Sequence, residues 1–243
     1  MFGWGRRVLA RLPLRGDEVV LDAGCGAGQL TALLAERLPH GHVVALDLSL
    51  EMLERARERL APFGDRVSYV LADVAHHVQR PPVDAFFSTA TFHWVEDHDT
   101  LFGAIASSLR PGGTLVSQCG GGANLSRFRE RTAMLRAEAT FAPFFRGFEQ
   151  ALHFPMPDES REQLERTGFV DVRAWLEAAP VALGDARSYA EFVACVIVRE
   201  QLARLPSEEL RHEFIARLVA LARGDDPPFE LDCWRLNLDA IRG

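Results

Sequence analysis

A chain of 243 residues can hold one large domain or two small ones, and its 48% apolar content is ample for a packed core. The formal charge of -7 argues against a surface that tracks nucleic-acid phosphates. All 27 basic residues are arginines, so no lysine is present to serve a phosphate loop, a Schiff base or a general base. The cysteines Cys25, Cys119, Cys195 and Cys233 form no Cys-x-x-Cys pair; neither a zinc site nor a disulfide framework is expected, and the thiols read as reduced. No apolar run is long enough to span a bilayer and the first residues lack the apolar core of a secretory signal, so no membrane partner is expected and the default address is the cytoplasm.

Strand-like and helix-like segments alternate through the first half, the pattern of a parallel sheet with helices on both faces. The expected order is strand 19–22, helix 29–38, strand 42–46, helix 50–60, strand 67–71, strand 83–87, helix 99–109 and strand 114–119. The run Arg110-Pro111-Gly112-Gly113 stops the helix before that fifth strand. From Gly120 to Pro157 the rhythm breaks, and phenylalanines interspersed with arginines suggest a helical lid. Helix 158–167, stopped by Gly168, leads to strand 169–177, whose Val170, Val172, Ala174 and Leu176 alternate as one face. Two helices follow, 186–205 and 207–223, and a last strand, 229–241, is expected to pair antiparallel as a hairpin partner of the sixth. The expected fold is α/β: a doubly wound, mostly parallel seven-stranded sheet with an antiparallel last strand and helical lid insertions. It reads as a single domain over 1–243, with a core over 16–119, a lid over 120–157 and a helical insertion over 184–226.

The run Val19-Val20-Leu21-Asp22-Ala23-Gly24-Cys25-Gly26-Ala27-Gly28 is a short apolar strand ending in an acid and then turning on alternate glycines. Such a turn lets a ligand approach bare backbone while the next helix presents unpaired N–H groups and a partial positive charge. Gly-x-Gly-x-Gly differs from the Gly-x-Gly-x-x-Gly of dinucleotide binders, and Asp22 at the mouth of the turn would repel a pyrophosphate. A ligand carrying an ammonium and a sulfonium fits better. In open α/β sheets ligands sit beyond the carboxyl ends of the strands, and those ends are acidic here. Asp47, closing the second strand, stands where a carboxylate can accept both hydroxyls of a ribose; the alternative is a helix cap, since Asp47 and Ser49 precede a helix. Asp73 closes the third strand and can accept the exocyclic amine of an adenine, or serve as an ordinary surface acid.

With these residues in view, the chain resembles the class I S-adenosylmethionine-dependent methyltransferases over nearly its whole length. Val20 to Gly28 is similar to the family's glycine motif, Val44-Ala45-Leu46-Asp47 to its ribose acid, Leu71-Ala72-Asp73 to its adenine acid, and Leu109 to Gly113 to its turn before the fifth strand. The resemblance implies S-adenosylmethionine as cofactor, held by Asp22, Gly24, Cys25, Gly26, Asp47, Leu48, Met52, Ala72, Asp73, Val74 and Thr89. Phe87 to Val95 and the late helical insertion are similar to the small-molecule branch that contains trans-aconitate methyltransferase. Those enzymes usually carry Asn-Ala-Ala-Leu-Gln-Trp where this chain has Thr89 to Trp94, so His93 replaces a glutamine. Their Thr-Leu-Arg-Pro signature becomes Ile197-Val198-Arg199-Glu200, with Arg199 in register. Relatives also begin with a helix that folds over the cofactor, whereas here Met1 to Gly5 lie close to the first strand, so a less enclosed cofactor is expected.

Methyl transfer from a sulfonium is an in-line displacement that calls mainly for positioning and exclusion of water, and no metal is expected. The implied activity is methylation of a small molecule, at a carboxylate or hydroxyl oxygen, with a polyketide-like or terpenoid acid as one acceptor type. Alternatives are a carrier-protein-bound malonyl thioester or a carbon nucleophile, and a non-catalytic cofactor-binding protein of the same fold. For a hydroxyl acceptor His93 is the candidate base, or else a histidine packed on Trp94. Trp94 and Arg199 are the candidate substrate contacts, with Arg235 and the arginines of the lid as further candidates to clamp an acid. No nucleic-acid partner is expected, and the protein is read as a monomer or homodimer.

Overall fold

A computed structural model describes residues 2–149 and 152–243. Two compact units emerge, one formed by Met1–Gly122, Ala151–Glu177 and Arg235–Gly243, the other by Ala123–Gln150 and Ala178–Trp234. In the first unit, helix α1 (Phe2–Leu9) precedes β1 (Val19–Ala23), α2 (Gln29–Arg37), β2 (His42–Asp47), α3 (Leu50–Leu60) and β3 (Val67–Leu71). Then come β4 (Val83–Thr89), α4 (His98–Ser108) and β5 (Leu109–Gly120). The presence of α1 corrects the expectation of a chain that starts without a leading helix. Its Val8 and Leu9 are buried, and apolar residues at helical spacing gain stability only once the sheet is there to cover them.

The sheet runs β3-β2-β1-β4-β5-β7-β6, where β6 is Phe169–Ala178 and β7 is Trp234–Arg242. Strands β1 to β5 pair parallel. The last strand is antiparallel to β5, with Gly120 opposite Arg235. It therefore lies between β5 and β6, neighbouring the sixth strand as expected but without a hairpin connection to it. Strand β5 includes Arg110-Pro111-Gly112-Gly113, a run expected to separate helix from strand; Gly112 takes φ +77 and the pairing shifts register between Val83 and Ala85, so an irregular strand end absorbs the turn.

Alternation along the strands builds the core. Val20, Val43, Ala45, Ala85, Phe87 and Val116 face one buried cluster with α1, α2 and α3, while Leu21, Val44, Leu46, Phe86 and Leu115 face another with α4. Both faces are covered, which is why the strands read as nearly continuous apolar runs. α6 (Pro157–Arg166) belongs to the second face through Leu164 and ends at Gly168 with φ +91. Because the order reverses between β1 and β4, the carboxyl ends of these strands border the crevice in which such sheets bind ligands.

The second unit contains α5 (Ser126–Ala137), α7 (Ala186–Phe192), α8 (Arg199–Arg204) and α9 (Glu208–Arg223). The helix expected over 186–205 is divided by a π turn at Val193–Ile197, and the strand expected from 229 is divided too, since Glu230–Leu231 pairs with Val181–Ala182 in a ladder of its own. Of the stretch expected as a helical lid, α5 and a 3₁₀ turn at Ala142–Phe144 are helical; Gln150 and Ala151 lie outside the described residues. Phe141 and Phe145 pack on Phe214 of α9, with Phe141–Phe214 centroids 5.1 Å apart, so these rings build this unit's own core.

Candidate functional site

The glycine turn is where backbone conformation becomes chemistry. Gly24 has φ +73, and a β-carbon there would come within 2.0 Å of Thr91 Oγ1, so the position admits only glycine. The Gly24 and Cys25 N–H groups both donate to the Leu46 carbonyl, at 2.8 and 3.0 Å, which ties the turn to β2. Gly26, at φ +54, would point a β-carbon into open space, leaving its backbone bare toward the crevice.

Two cavities open from this turn and share Gly24 and Ala90. Ala90 holds the left-handed φ of +56 with its N–H bonded to the Gln118 carbonyl at 2.7 Å, a strained residue kept in place by its neighbours where the cavities meet. One cavity, of about 540 Å³, brings together Asp47, Leu48, Ala72, Asp73, Val74 and Trp94. Asp47 Oδ2 accepts the Gly26 N–H at 2.8 Å and its Oδ1 the Ser49 N–H at 2.8 Å. Ser49 Oγ is the cap that accepts the Met52 N–H at the start of α3. The helix is thus capped without the acid, and each Asp47 oxygen keeps acceptor capacity for a hydroxyl. Asp73 Oδ1 accepts the Ala75 N–H at 2.9 Å while Oδ2 lies 3.2 Å from His76 Nδ1. Glu96 and Asp97 add further negative charge, so this cavity disfavours a phosphate and suits a polyhydroxylated, neutral or cationic ligand.

The other cavity, of about 430 Å³, is lined by the sequence candidates Asp22, Cys25, Gly26 and Thr89 and by residues the motifs did not disclose: Trp4, Gln29, Leu30, Gln118, Cys119 and Arg235. Arg235 was among the sequence candidates; the others carry no motif and enter through α1, α2 and the end of β5. Asp22 is 2% exposed and accepts the Thr31 hydroxyl at 2.7 Å. Burial pushes its carboxyl up to about 7, opposed by the Thr31 bond and assisted by Asp47. Burial raises the Cys25 and Cys119 thiols as well, the latter to about 12, so both stay protonated and chemically quiet. Arg235 is the one cation among the described residues of this lining. Its guanidinium lies over the Trp4 ring at 5.6 Å, and no carboxylate pairs with it among the described residues.

The remaining expected residues fall elsewhere. His93, expected as a base, lines neither cavity. Its ring stacks on Phe154 with centroids 6.0 Å apart and tilts against Trp94 at 5.3 Å, and its Nδ1 accepts the Gly120 N–H at 3.3 Å. Burial, then Arg235 and His98, push its pKa down to about 3, so at neutral pH it is an uncharged hydrogen-bond acceptor and a feeble base. Met52 sits in the first turn of α3 outside both linings, and Arg199 is exposed at the start of α8 in the second unit. Among the described residues no cluster of His, Cys, Asp and Glu could hold a metal, and no helix is long and apolar enough to cross a membrane.

An adenosyl sulfonium fits these residues. Bare glycine backbone adjoins the buried Asp22 on one side, and on the other lies an acid whose oxygens are each only half used.

Comparison with known proteins identifies the family. Residues 20–113 match the family described as Methyltransferase domain. The trans-aconitate 2-methyltransferase of Afipia carboxidovorans is 32% identical over 228 residues, 92% of this chain and 85% of that protein. That of Azoarcus sp. is 43% identical over 113 residues, which span 46% of this chain and 43% of the relative. Among solved structures, Haemonchus contortus phosphoethanolamine N-methyltransferase 2 in complex with S-adenosyl-L-methionine superposes with a TM-score of 0.62 at 20% identity, covering 99% of this chain and 52% of that one.

Proposed function

The chain belongs to the class I S-adenosylmethionine-dependent methyltransferases, and from that membership we propose that it methylates a carboxylate oxygen of a small organic acid. Two of the relatives it matches are named for a carboxylic acid. The observation that carries the reading is Arg235, a guanidinium without a carboxylate partner among the described residues, in the cavity that begins at the glycine turn. An arginine recognises a carboxylate through paired, charge-assisted hydrogen bonds.

In this reading Asp47 accepts the ribose hydroxyls, Asp73 and the backbone around Val74 take the adenine edge, and Asp22 with the glycine turn faces the methionyl end. When bound, S-adenosylmethionine supplies a methyl carbon on a positively charged sulfur that leaves with its electron pair as a neutral thioether. Arg235 holds the acid against Trp4 and restricts its orientation, the contribution for which proximity supplies roughly 7–11 kcal/mol in well-ordered cases. A carboxylate is already ionised at neutral pH and needs no base, in keeping with a His93 that is neutral, tied to Gly120 and outside both linings. Hydroxyl acceptors, by contrast, call for a proton acceptor at the reacting oxygen.

The test is a panel of carboxylic acids incubated with the protein and S-adenosylmethionine and screened by mass spectrometry for a base-labile methyl ester. Arg235→Gln is expected to raise the KM for the acid at least tenfold and leave calorimetric cofactor affinity intact. A variant that instead loses the cofactor while keeping its KM for the acid removes Arg235 from the acceptor site.

A further inference from the structure

Gln118 sits near the end of β5, 7% exposed, in the lining of the cavity that holds Arg235. Its orientation follows from donor and acceptor chemistry. Arg11 donates to Asn237 Oδ1 at 2.6 Å, and a guanidinium can only donate, so it is the oxygen of Asn237 that faces this junction. The atom of Gln118 that meets the same oxygen at 2.7 Å must therefore be the Nε2 amide. Arg11 is held in turn by Asp239 Oδ1 at 3.0 Å, by the Ser117 carbonyl at 2.9 Å and by the Trp175 ring at 5.0 Å, so the junction has no freedom to invert. What remains of Gln118 is its Oε1, which no hydrogen bond engages among the described residues, on a side chain that lines the cavity.

We propose that Gln118 is a specificity-determining residue, its Oε1 held toward the cavity by the Arg11–Asn237 pair to accept a hydrogen bond from the acceptor. Resting on the carboxylate reading above, this narrows the substrate to an acid that carries a hydroxyl or amide donor beside its carboxylate. A buried acceptor left without a donor is costly, so the site rejects the analogue that lacks one. Charge points the same way. With Arg235 the single cation among the described residues of the lining, a second carboxylate on the acceptor goes unneutralised, and an amide oxygen facing it adds repulsion.

The experiment compares matched acids, 3-hydroxybutanoate with butanoate and mandelate with phenylacetate, and adds trans-aconitate as a polyanion. The wild-type protein is expected to favour the hydroxy member of at least one pair about tenfold in kcat/KM and to methylate it faster than trans-aconitate. In Gln118→Met, which keeps length and loses the acceptor, the ratio falls toward one while cofactor affinity stays within twofold. Asn237→Leu, acting through Gln118, lowers the same ratio. Calorimetric titration of each acid into protein loaded with S-adenosylhomocysteine reads the same ratio without turnover and covers a variant of reduced activity. Equal use of both members by the wild type, a preference that survives Gln118→Met, or loss of the cofactor in that variant overturns the inference alone. Absence of methylation of every acid overturns the carboxylate reading together with it.

Discussion

Gly26 donates its backbone N–H to Oδ2 of Asp47 at 2.8 Å across 21 residues of sequence, so the turn after β1 and the acid that ends β2 form one rim. Asp47 is thereby a structural acceptor and a candidate ligand group at once. The geometry of the glycine turn depends on it.

Asp47→Ala is expected to weaken S-adenosylmethionine binding by at least a hundredfold, because charge-assisted bonds to two hydroxyls are lost at roughly 1.5–3 kcal/mol each. The Gly26 and Ser49 N–H groups also lose their acceptor, so the ligand-free protein should melt a few degrees lower. Calorimetry and thermal melting separate the two effects. Unchanged cofactor affinity would exclude Asp47 from the ribose site.

Gly24→Ala places a β-carbon 2.0 Å from Thr91 Oγ1 on a backbone at φ +73. A left-handed alanine alone costs about 1–2 kcal/mol, and the clash adds to it. The variant should be clearly destabilised in denaturant titration. Adding Thr91→Ala should restore only part of the loss, since the backbone strain persists and the Thr91 β-carbon stays 2.8 Å away.

Asp22 gives the ligand-free protein a pH signature. Its carboxyl titrates near 7 when folded against 3.8 when free, so the unfolded chain releases this proton first. Stability from this group is complete below about pH 4 and declines as pH rises toward 7. Asp22→Asn keeps an acceptor for Thr31 and should flatten that decline. In the wild type, cofactor affinity should climb with pH through 7, as an ionised Asp22 attracts the ligand's positive charge. A pH-independent affinity would remove Asp22 from the site.

His93 titrates with the opposite sign. Folded near 3 and free near 6.5, it stays neutral while the unfolded chain takes up a proton, so its contribution is present above pH 6.5 and is lost as pH falls toward 3. His93→Gln should soften acid unfolding over that window. It should also leave kcat within a fewfold, with no shift in the pH profile. A hundredfold fall in kcat, or a lost ionisation in the profile, would restore His93 as the base.

Much of the site was legible beforehand, because in a parallel sheet every strand ends on the same edge. Once alternation and apolar runs identify β1, β2 and β3, the acids at or near their ends are committed to one rim: Asp22, Asp47 and Asp73 needed no further information to be gathered there. Glycines with left-handed φ were equally visible, since the turn tolerates no side chain at Gly24.

The side of the crevice proposed for the acceptor was decided by folding. Antiparallel β7 carries Arg235 back to the carboxyl end of β5, opposite Gly120, and α1 brings Trp4 beneath it. Gln118 acquires its direction from Arg11 and Asn237, 107 residues before it and 119 after, numbers no local pattern encodes. His93 lost its expected basicity for the same reason, because a pKa responds to the side chains that surround an imidazole in space. Periodicity along the chain determined which residues reach the rim; burial and hydrogen bonding between distant segments determined what each of them can do there.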